Sequence, residues 1–217
     1  MNNLKGRFIV FEGIDGCGSS TQAQLLHEYF TTKHGKSHLT AEPSTGPFGN
    51  MCRQILFNRI HIANGKHPHF TDSNLFDTQM AHLMATDRHD HLYNDVDGIL
   101  KSINNGSNVI CTRYILSSYA YQGNTPEEIE LVGNLNSHFP LPDLLIYLDN
   151  TVQSSMRRMH NRIVKDVHEN VTRLTHTKEN YDNVLKSYTG ELYTVDATLP
   201  IAVIANKIIS KINELNF

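Results

Sequence analysis

The chain has 217 residues, of which 39% are hydrophobic and 19% charged, with a formal net charge of −3. That size suits one α/β domain with a substantial core, in an ordinary soluble composition. The charge leaves no basic face for non-specific nucleic-acid binding, no apolar run reaches membrane-spanning length, and no charged-apolar-small signal segment opens the chain.

Cys17, Cys52 and Cys111 lack disulfide or zinc spacing, which points to the reducing cytoplasm. Thirteen histidines are many for this length. His67-Pro68-His69 and His89-Asp90-His91 invite a metal reading, but residues two apart do not share a helix face. With no second cluster to complete a ligand set, they read as surface residues.

The first organised stretch runs from Phe8 to Thr21. An apolar run, Phe8-Ile9-Val10-Phe11, leads into a glycine-rich turn. The turn opens a helix with Leu25, Leu26, Tyr29 and Phe30 at helical spacing, closed at Gly35. Against the phosphate-loop pattern G-x-x-x-x-G-K-[ST], Gly13, Gly18 and Ser20 match and Ser19 stands at the lysine position. Taken alone, the turn is equally an ordinary tight turn. As a phosphate site, its glycines let the backbone wrap a polyphosphate, its helix-start N–H groups face the anion, and Ser20 is placed for Mg²⁺.

The wider run Phe11-Glu12-Gly13-Ile14-Asp15-Gly16-Cys17-Gly18-Ser19-Ser20-Thr21-Gln22 resembles the amino-terminal signature of the thymidylate kinases. That resemblance implies transfer of the ATP γ-phosphoryl to a nucleoside monophosphate. It places the ATP phosphates on Gly13, Ile14, Asp15, Gly16, Cys17, Gly18, Ser19, Ser20 and Thr21, and lets Asp15 organise the acceptor sugar or the metal shell.

Residues 36–41 form a weak strand candidate, and 42–49 a turn-rich connector. Thr40-Ala41-Glu42-Pro43 with Pro47-Phe48-Gly49 is similar to the family's T-R-E-P…P-L-G, with Ala41 at the arginine position. Residues 60–70 read as a polar loop. A helix is expected from about Thr71, capped by Asp72 or Ser73, to near Tyr93. Within it, Met84-Ala85-Thr86-Asp87-Arg88 resembles F-A-x-D-R. By that resemblance Arg88 binds the acceptor phosphate, and Met84 takes the place of an aromatic that stacks on the base.

A buried strand is expected near 107–114, after the turn at Asn105-Gly106. With its continuation through Gly123 it is similar to V-I-x-D-R-Y-x-x-S-x-x-A-Y-Q-G. The resemblance makes Arg113 a clamp on the acceptor phosphate and turns Ser118, Tyr121 and Gln122 to its sugar and base. Thr112 replaces the family's aspartate. Thr125-Pro126-Glu127-Glu128 begins a helix by capping-box logic.

Pro142-Asp143 and the strand Leu144 to Asp149 are similar to K-P-D-L-x-x-x-L-D. Asn150 or Thr151 then caps a helix carrying Arg157, Arg158 and Arg162, the last two sharing a face at i and i+4. The family's mobile lid falls at about 160–175. There Asp166 and Glu169 match D-R-x-E while Val167 holds the arginine position; an ordinary charged loop is the competing reading. After a helical segment at about 179–188, residues 192–198 resemble the V-I-D-A-T strand and turn. A final helix aligns Ile201, Ile204, Ala205, Ile208, Ile212 and Leu215 as a packing stripe.

The expected fold is a three-layer α/β sandwich. Alternating strand and helix signals support it, and the resemblance supplies the five-stranded parallel sheet of the P-loop kinases. It also implies a homodimer, with small-molecule nucleotides as partners.

Ser19, Ala41 and Val167 each remove a positive charge and Thr112 a negative one. A lysine about 4 Å from a phosphate oxygen contributes on the order of 4 kcal/mol at an effective dielectric near 20. Its uncompensated loss slows transfer by roughly a thousandfold. Either the site is rebuilt, with Arg157, Arg158, Arg162 or Lys165 as substitute cations, or it binds without turning over. The retained residues favour the first, and Arg158 and Arg162 are the expected catalytic cations alongside Asp15 and Arg113.

Overall fold

The computed structural model describes residues 6–66, 74–159 and 171–217. Five strands form one parallel sheet: β1 (Phe8–Glu12), β2 (Ser37–Ala41), β3 (Asn108–Thr112), β4 (Leu144–Asp149) and β5 (Leu192–Asp196), ordered β2-β3-β1-β4-β5. The helices are α1 (Ser19–His34), α2 (Pro47–Leu56), α3 (Leu75–Tyr93), α4 (Ile99–Asn104), α5 (Ile115–Gln122), α6 (Pro126–Asn136), α7 (Val152–Met159), α8 (Val171–Lys186) and α9 (Ile201–Glu214).

β1 is the middle strand, paired with β3 and β4, and its five residues are all buried. Alternate side chains serve opposite faces, so a strand covered on both sides reads as one apolar run. Ile9 and Phe11 pack with Leu26 and Phe30 of α1 and with Ile204, Ile208 and Ile212 of α9. Phe8 and Val10 pack on the other face with Leu92, Ile99, Tyr114 and Ile115.

The expected elements appear with small shifts at their ends, except the helix expected at about 179–188, which begins at Val171. Gly35 closes α1 in a left-handed conformation, its N–H bonded to Thr31 O. Thr125 caps α6 by accepting from Glu128 N. Between the two candidates before α7, Thr151 is the cap, its hydroxyl accepting from Ser154 N at 3.1 Å. Among the described residues α3 is capped by Asn74, which accepts from Phe76 N; Asp72 and Ser73 lie outside them.

The lid expected near 160–175 falls largely on residues 160–170, also outside the described ones; 171–175 open α8. On α9, Ile204, Ile208 and Ile212 are buried as expected, while Ile201 is 58% exposed and contributes its carbonyl to Gln22 Nε2 instead. Two short helices, α2 and α4, are additions to the sequence reading. α2 begins on Pro47, inside what reads as a connector, and buries Cys52, Ile55 and Leu56 against Met80 of α3.

The carboxyl end of β1 is fixed by Glu12, which has no exposed surface. Its carboxylate accepts from Tyr114 N at 2.8 Å, Ser117 N at 3.1 Å, Ser117 Oγ at 2.6 Å and Tyr181 Oη at 2.8 Å. Burial pushes this carboxyl up from its ordinary 4.5, opposed by Ser117, Arg113 and Tyr181.

Two outcomes follow from the packing. Ile208→Ala should lower unfolding free energy by about 3 kcal/mol in a denaturant titration, whereas exposed Lys207→Ala should stay within about 0.5 kcal/mol. Because the Glu12 pKa is raised in the folded state, the stability it contributes is full below the ordinary value and declines as pH rises through the folded one. The stability gap between wild type and Glu12→Gln in urea should therefore narrow from pH 4.5 to pH 8; a gap constant with pH would show that Glu12 has no raised pKa.

Candidate functional site

The turn after β1 is a cradle that side chains would fill. Gly13, Gly16 and Gly18 have φ of 149°, 78° and 102°. A Cβ on Gly13 would stand 2.8 Å from Leu148 O and 2.9 Å from Cys17 Sγ, and one on Gly16 2.7 Å from Ser155 O. Only glycine fits both the backbone and the space. α1 starts without a side-chain cap and without an acidic residue in its first turn, so its leading N–H groups and positive dipole end are left to an anion. Ser20 and Thr21 are exposed at that turn. Ser19 stands beside the Cys17 thiol, whose ionisation burial suppresses; the cysteine in the loop is therefore no nucleophile.

The second half of the site is built at the β3–α5 corner. Arg113 follows β3 in a left-handed conformation, φ 68°, unfavourable for a residue with a Cβ by about 1–2 kcal/mol. Its neighbours hold it there. Arg113 N donates to Phe11 O at 2.8 Å, and Glu12 takes the N–H groups of Tyr114 and Ser117. The guanidinium thereby turns onto the phosphate-loop side. Nη2 reaches Asp15 Oδ1 at 2.5 Å and Tyr121 Oη at 3.1 Å, and Nη1 reaches Ser117 Oγ at 3.2 Å and Gly13 O at 3.5 Å. Tyr121 in turn donates to Asp15 Oδ2 at 2.9 Å. Burial would lower the Arg113 pKa, but Tyr121, Asp15, Tyr181 and Glu12 more than reverse this. Arg113 is a permanent cation, 23% exposed at its side chain.

Arg88 occupies a different setting. It is 1% exposed, with Nε and Nη2 on Glu42 Oε2 at 2.9 and 2.6 Å. Nη1 and Nη2 lie 3.3 and 3.2 Å from Ser118 Oγ, and Nη1 also donates to Asn136 Oδ1. It lines the floor of the cleft, with its charge met by Glu42. Asp15, Glu42, Pro43, Leu56, Met84, Arg88, Arg113, Tyr114, Ser117, Ser118, Tyr121 and Gln122 line one cleft. The structure thus gathers Asp15, Met84, Arg88, Arg113, Ser118, Tyr121 and Gln122 at one place.

The sequence reading passes over several residues that build the cleft. Glu42 neutralises Arg88. Asp87 accepts from Ser44 N and Ser44 Oγ, both at 2.6 Å. Arg53 donates to Pro43 O and Ser44 O, putting a guanidinium against the turn beside Ala41. The available signal for Arg53 was the proline at the first helical position of α2. Arg158 lies on the carbonyls of the phosphate loop, and Arg162 is outside the described residues. Among the described residues no cluster of three or more His, Cys, Asp or Glu side chains is grouped to hold an ion. The uncapped helix start and exposed Ser20 hydroxyl fit a Mg²⁺ held mainly by phosphate oxygens and water, with Ser20 as the protein ligand.

Comparison with known proteins agrees with this geometry. Residues 11–208 match the family model for thymidylate kinase. A probable thymidylate kinase of Thermococcus kodakarensis is 34% identical over 210 residues, covering 96% of this chain and 98% of the relative. One from Pyrococcus horikoshii is 38% identical over 159 residues, 73% of this chain and 72% of its own. A solved thymidylate kinase structure from Candida albicans superposes with a TM-score of 0.76 at 23% identity, covering 98% of this chain and 93% of that one. With the parallel sheet, the glycine cradle and the arginine corner in place, this chain belongs to the thymidylate kinase family.

Proposed function

We propose that the chain transfers the γ-phosphoryl of ATP to dTMP, giving ADP and dTDP. One observation carries this reading: the phosphate loop and the acceptor cleft share Asp15, whose carboxylate is bonded by Arg113 and Tyr121 from the other side. Donor and acceptor sites therefore meet at a single residue, as direct transfer between two nucleotides demands. The ATP phosphates take residues 13–21, and Arg113 takes the acceptor phosphate. Ser118, Tyr121 and Gln122 face its sugar and base, with Met84 on the base side.

The cleft measures about 110 Å³, below the roughly 300–1,000 Å³ of a small-ligand site. An acceptor enters by displacing side chains that now pair with each other. Its phosphate replaces Asp15 on Arg113, so the guanidinium keeps an anionic partner and the Asp15 carboxylate is released. Ser20 would hold a Mg²⁺, which would supply positive charge to the ATP phosphates. Tyr121, whose hydroxyl burial keeps protonated, holds Asp15 as a hydrogen-bond acceptor. The chain acts as one domain in the cytoplasm, its three buried thiols unpaired, and as a homodimer. Exposed Phe48 and Met51 on α2 support the dimer, and sedimentation at micromolar concentration tests it.

A second reading, nucleotide binding without turnover, is favoured by the altered charges at Ser19, Ala41, Thr112 and Val167. Met84 in place of a rigid aromatic leaves dUMP or a modified pyrimidine as the alternative acceptor. A coupled assay with dTMP, dUMP, dCMP and dGMP should show turnover highest with dTMP. Folded protein inactive on all four would remove the kinase reading, and saturable monophosphate binding in calorimetry would then leave the second. Arg113→Ala should lower kcat/KM for the acceptor by about 100-fold or more, the range for truncating a buried charge-assisted contact. Unchanged kcat/KM would exclude Arg113 as the clamp.

A further inference from the structure

Position 19 carries a hydroxyl where the phosphate-loop pattern carries an ammonium group. The cations around the nucleotide cleft differ in how their charge is met. Arg88 is paired with Glu42 at 2.6 Å and Arg113 with Asp15 at 2.5 Å. Lys178 is paired with Asp149 at 2.8 Å and Asp182 at 3.2 Å. Each of these is already neutralised by a carboxylate.

Arg158, exposed at the end of α7, contacts carbonyls alone. Nη1 donates to Cys17 O at 3.0 Å and to Gly16 O at 3.4 Å, while Nη2 donates to Ala197 O at 2.8 Å. Among the described residues no carboxylate pairs with it. Nη1 lies 3.7 Å from the point where a Cβ on Gly18 would stand. A guanidinium with no carboxylate partner among the described residues is therefore docked on the very loop that lacks its lysine.

We infer that Arg158 supplies from outside the loop the positive charge that Ser19 lacks. This rests on the kinase reading. A peptide unit points its C=O and N–H in opposite directions. A guanidinium on Cys17 O therefore leaves the next N–H, that of Gly18, facing away from it and polarised toward an anion in the cradle. The same contact fixes the loop's shape before the nucleotide arrives, and Arg158's long, exposed side chain lets its free face turn to the phosphates. Arg158 is a positioning residue in its docked state.

The test uses kcat, KM for ATP and KM for dTMP in Arg158→Gln, Arg158→Lys, Ser19→Lys and the double variant Ser19→Lys/Arg158→Gln. Glutamine keeps a donor for the carbonyls and removes only the charge. Arg158→Gln should lower kcat at least about tenfold with KM for dTMP unchanged, and Arg158→Lys should stay within about threefold of wild type. Ser19→Lys should recover most of the loss in the double variant.

Wild-type kcat in Arg158→Gln overturns the inference, as does a loss that neither lysine reverses. If Arg158→Gln does not fold, Ser19→Lys alone decides. A kcat gain of about 100-fold or more in it would mean that the charge was missing and overturns the inference; a gain below about tenfold upholds it. If wild type turns over no acceptor, the kinase reading fails separately, and MgATP calorimetry carries the test. Affinity about tenfold weaker in Arg158→Gln and restored by Ser19→Lys upholds the inference, and unchanged affinity overturns it.

Discussion

A single buried carboxylate holds the two halves of this site in register. Glu12 ends the middle strand, yet its hydrogen-bond partners come from the start of α5 and from Tyr181 on α8. Removing a carboxyl from water is unfavourable by several kcal/mol, and only a full set of donors makes it tolerable. Four donors do so here, three from the start of α5 and one from α8. The two backbone donors pin the corner at which Arg113 turns left-handed. Without that corner, β3 would run straight on and the guanidinium would lie elsewhere. The position of Arg113, the proposed acceptor clamp, is therefore set by the buried carboxylate at the end of β1.

The two arginines that look interchangeable in the sequence show what such placement does. Both follow short motif runs and both would serve a phosphate. Arg88 is sealed by Glu42, Ser118 and Asn136, so withdrawing it would strand Glu42 in the interior. Arg113 is paired with Asp15 at the edge of the cleft, where a second anion can take the carboxylate's place. Burial and partner, more than residue type, set how readily a cation can change its partner.

The same contrast marks what was legible from the chain alone. The apolar run of β1, the strand at 144–149 and the stripe on α9 carry their own period, because each meets the core along its length. The glycine cradle was legible because backbone geometry excludes other residues at Gly13 and Gly16. β2, an edge strand with every residue only half-buried, gave a weak signal. α2 was hidden, since its turn-rich start and its mix of exposed and buried residues resemble a loop. The roles of Glu12, Glu42, Asn136 and Tyr181 had no local signature at all. Their partners in the site lie 46 to 169 positions away, and no spacing rule reaches that far.

The loop itself shows how far an anion site can go without its own cation. Its uncapped helix start, free of first-turn acids, supplies oriented dipoles, but dipoles decay faster with distance than a charge and cannot follow a γ-phosphoryl as it moves. Net charge has to come from side chains reaching in. Arg113 reaches Gly13 O from one end of the loop and Arg158 reaches Gly16 O and Cys17 O from the other. Two guanidinium groups thus bracket a loop that carries none. Because Arg113 is tied to Asp15 and is the proposed clamp for the acceptor phosphate, occupying the acceptor cleft frees a carboxylate inside the donor loop. That released negative charge would raise the demand for a cation at the opposite end of the loop, where Arg158 stands with no carboxylate paired to it among the described residues. Donor and acceptor binding are then linked through charge, in a site where neither half is electrostatically complete alone.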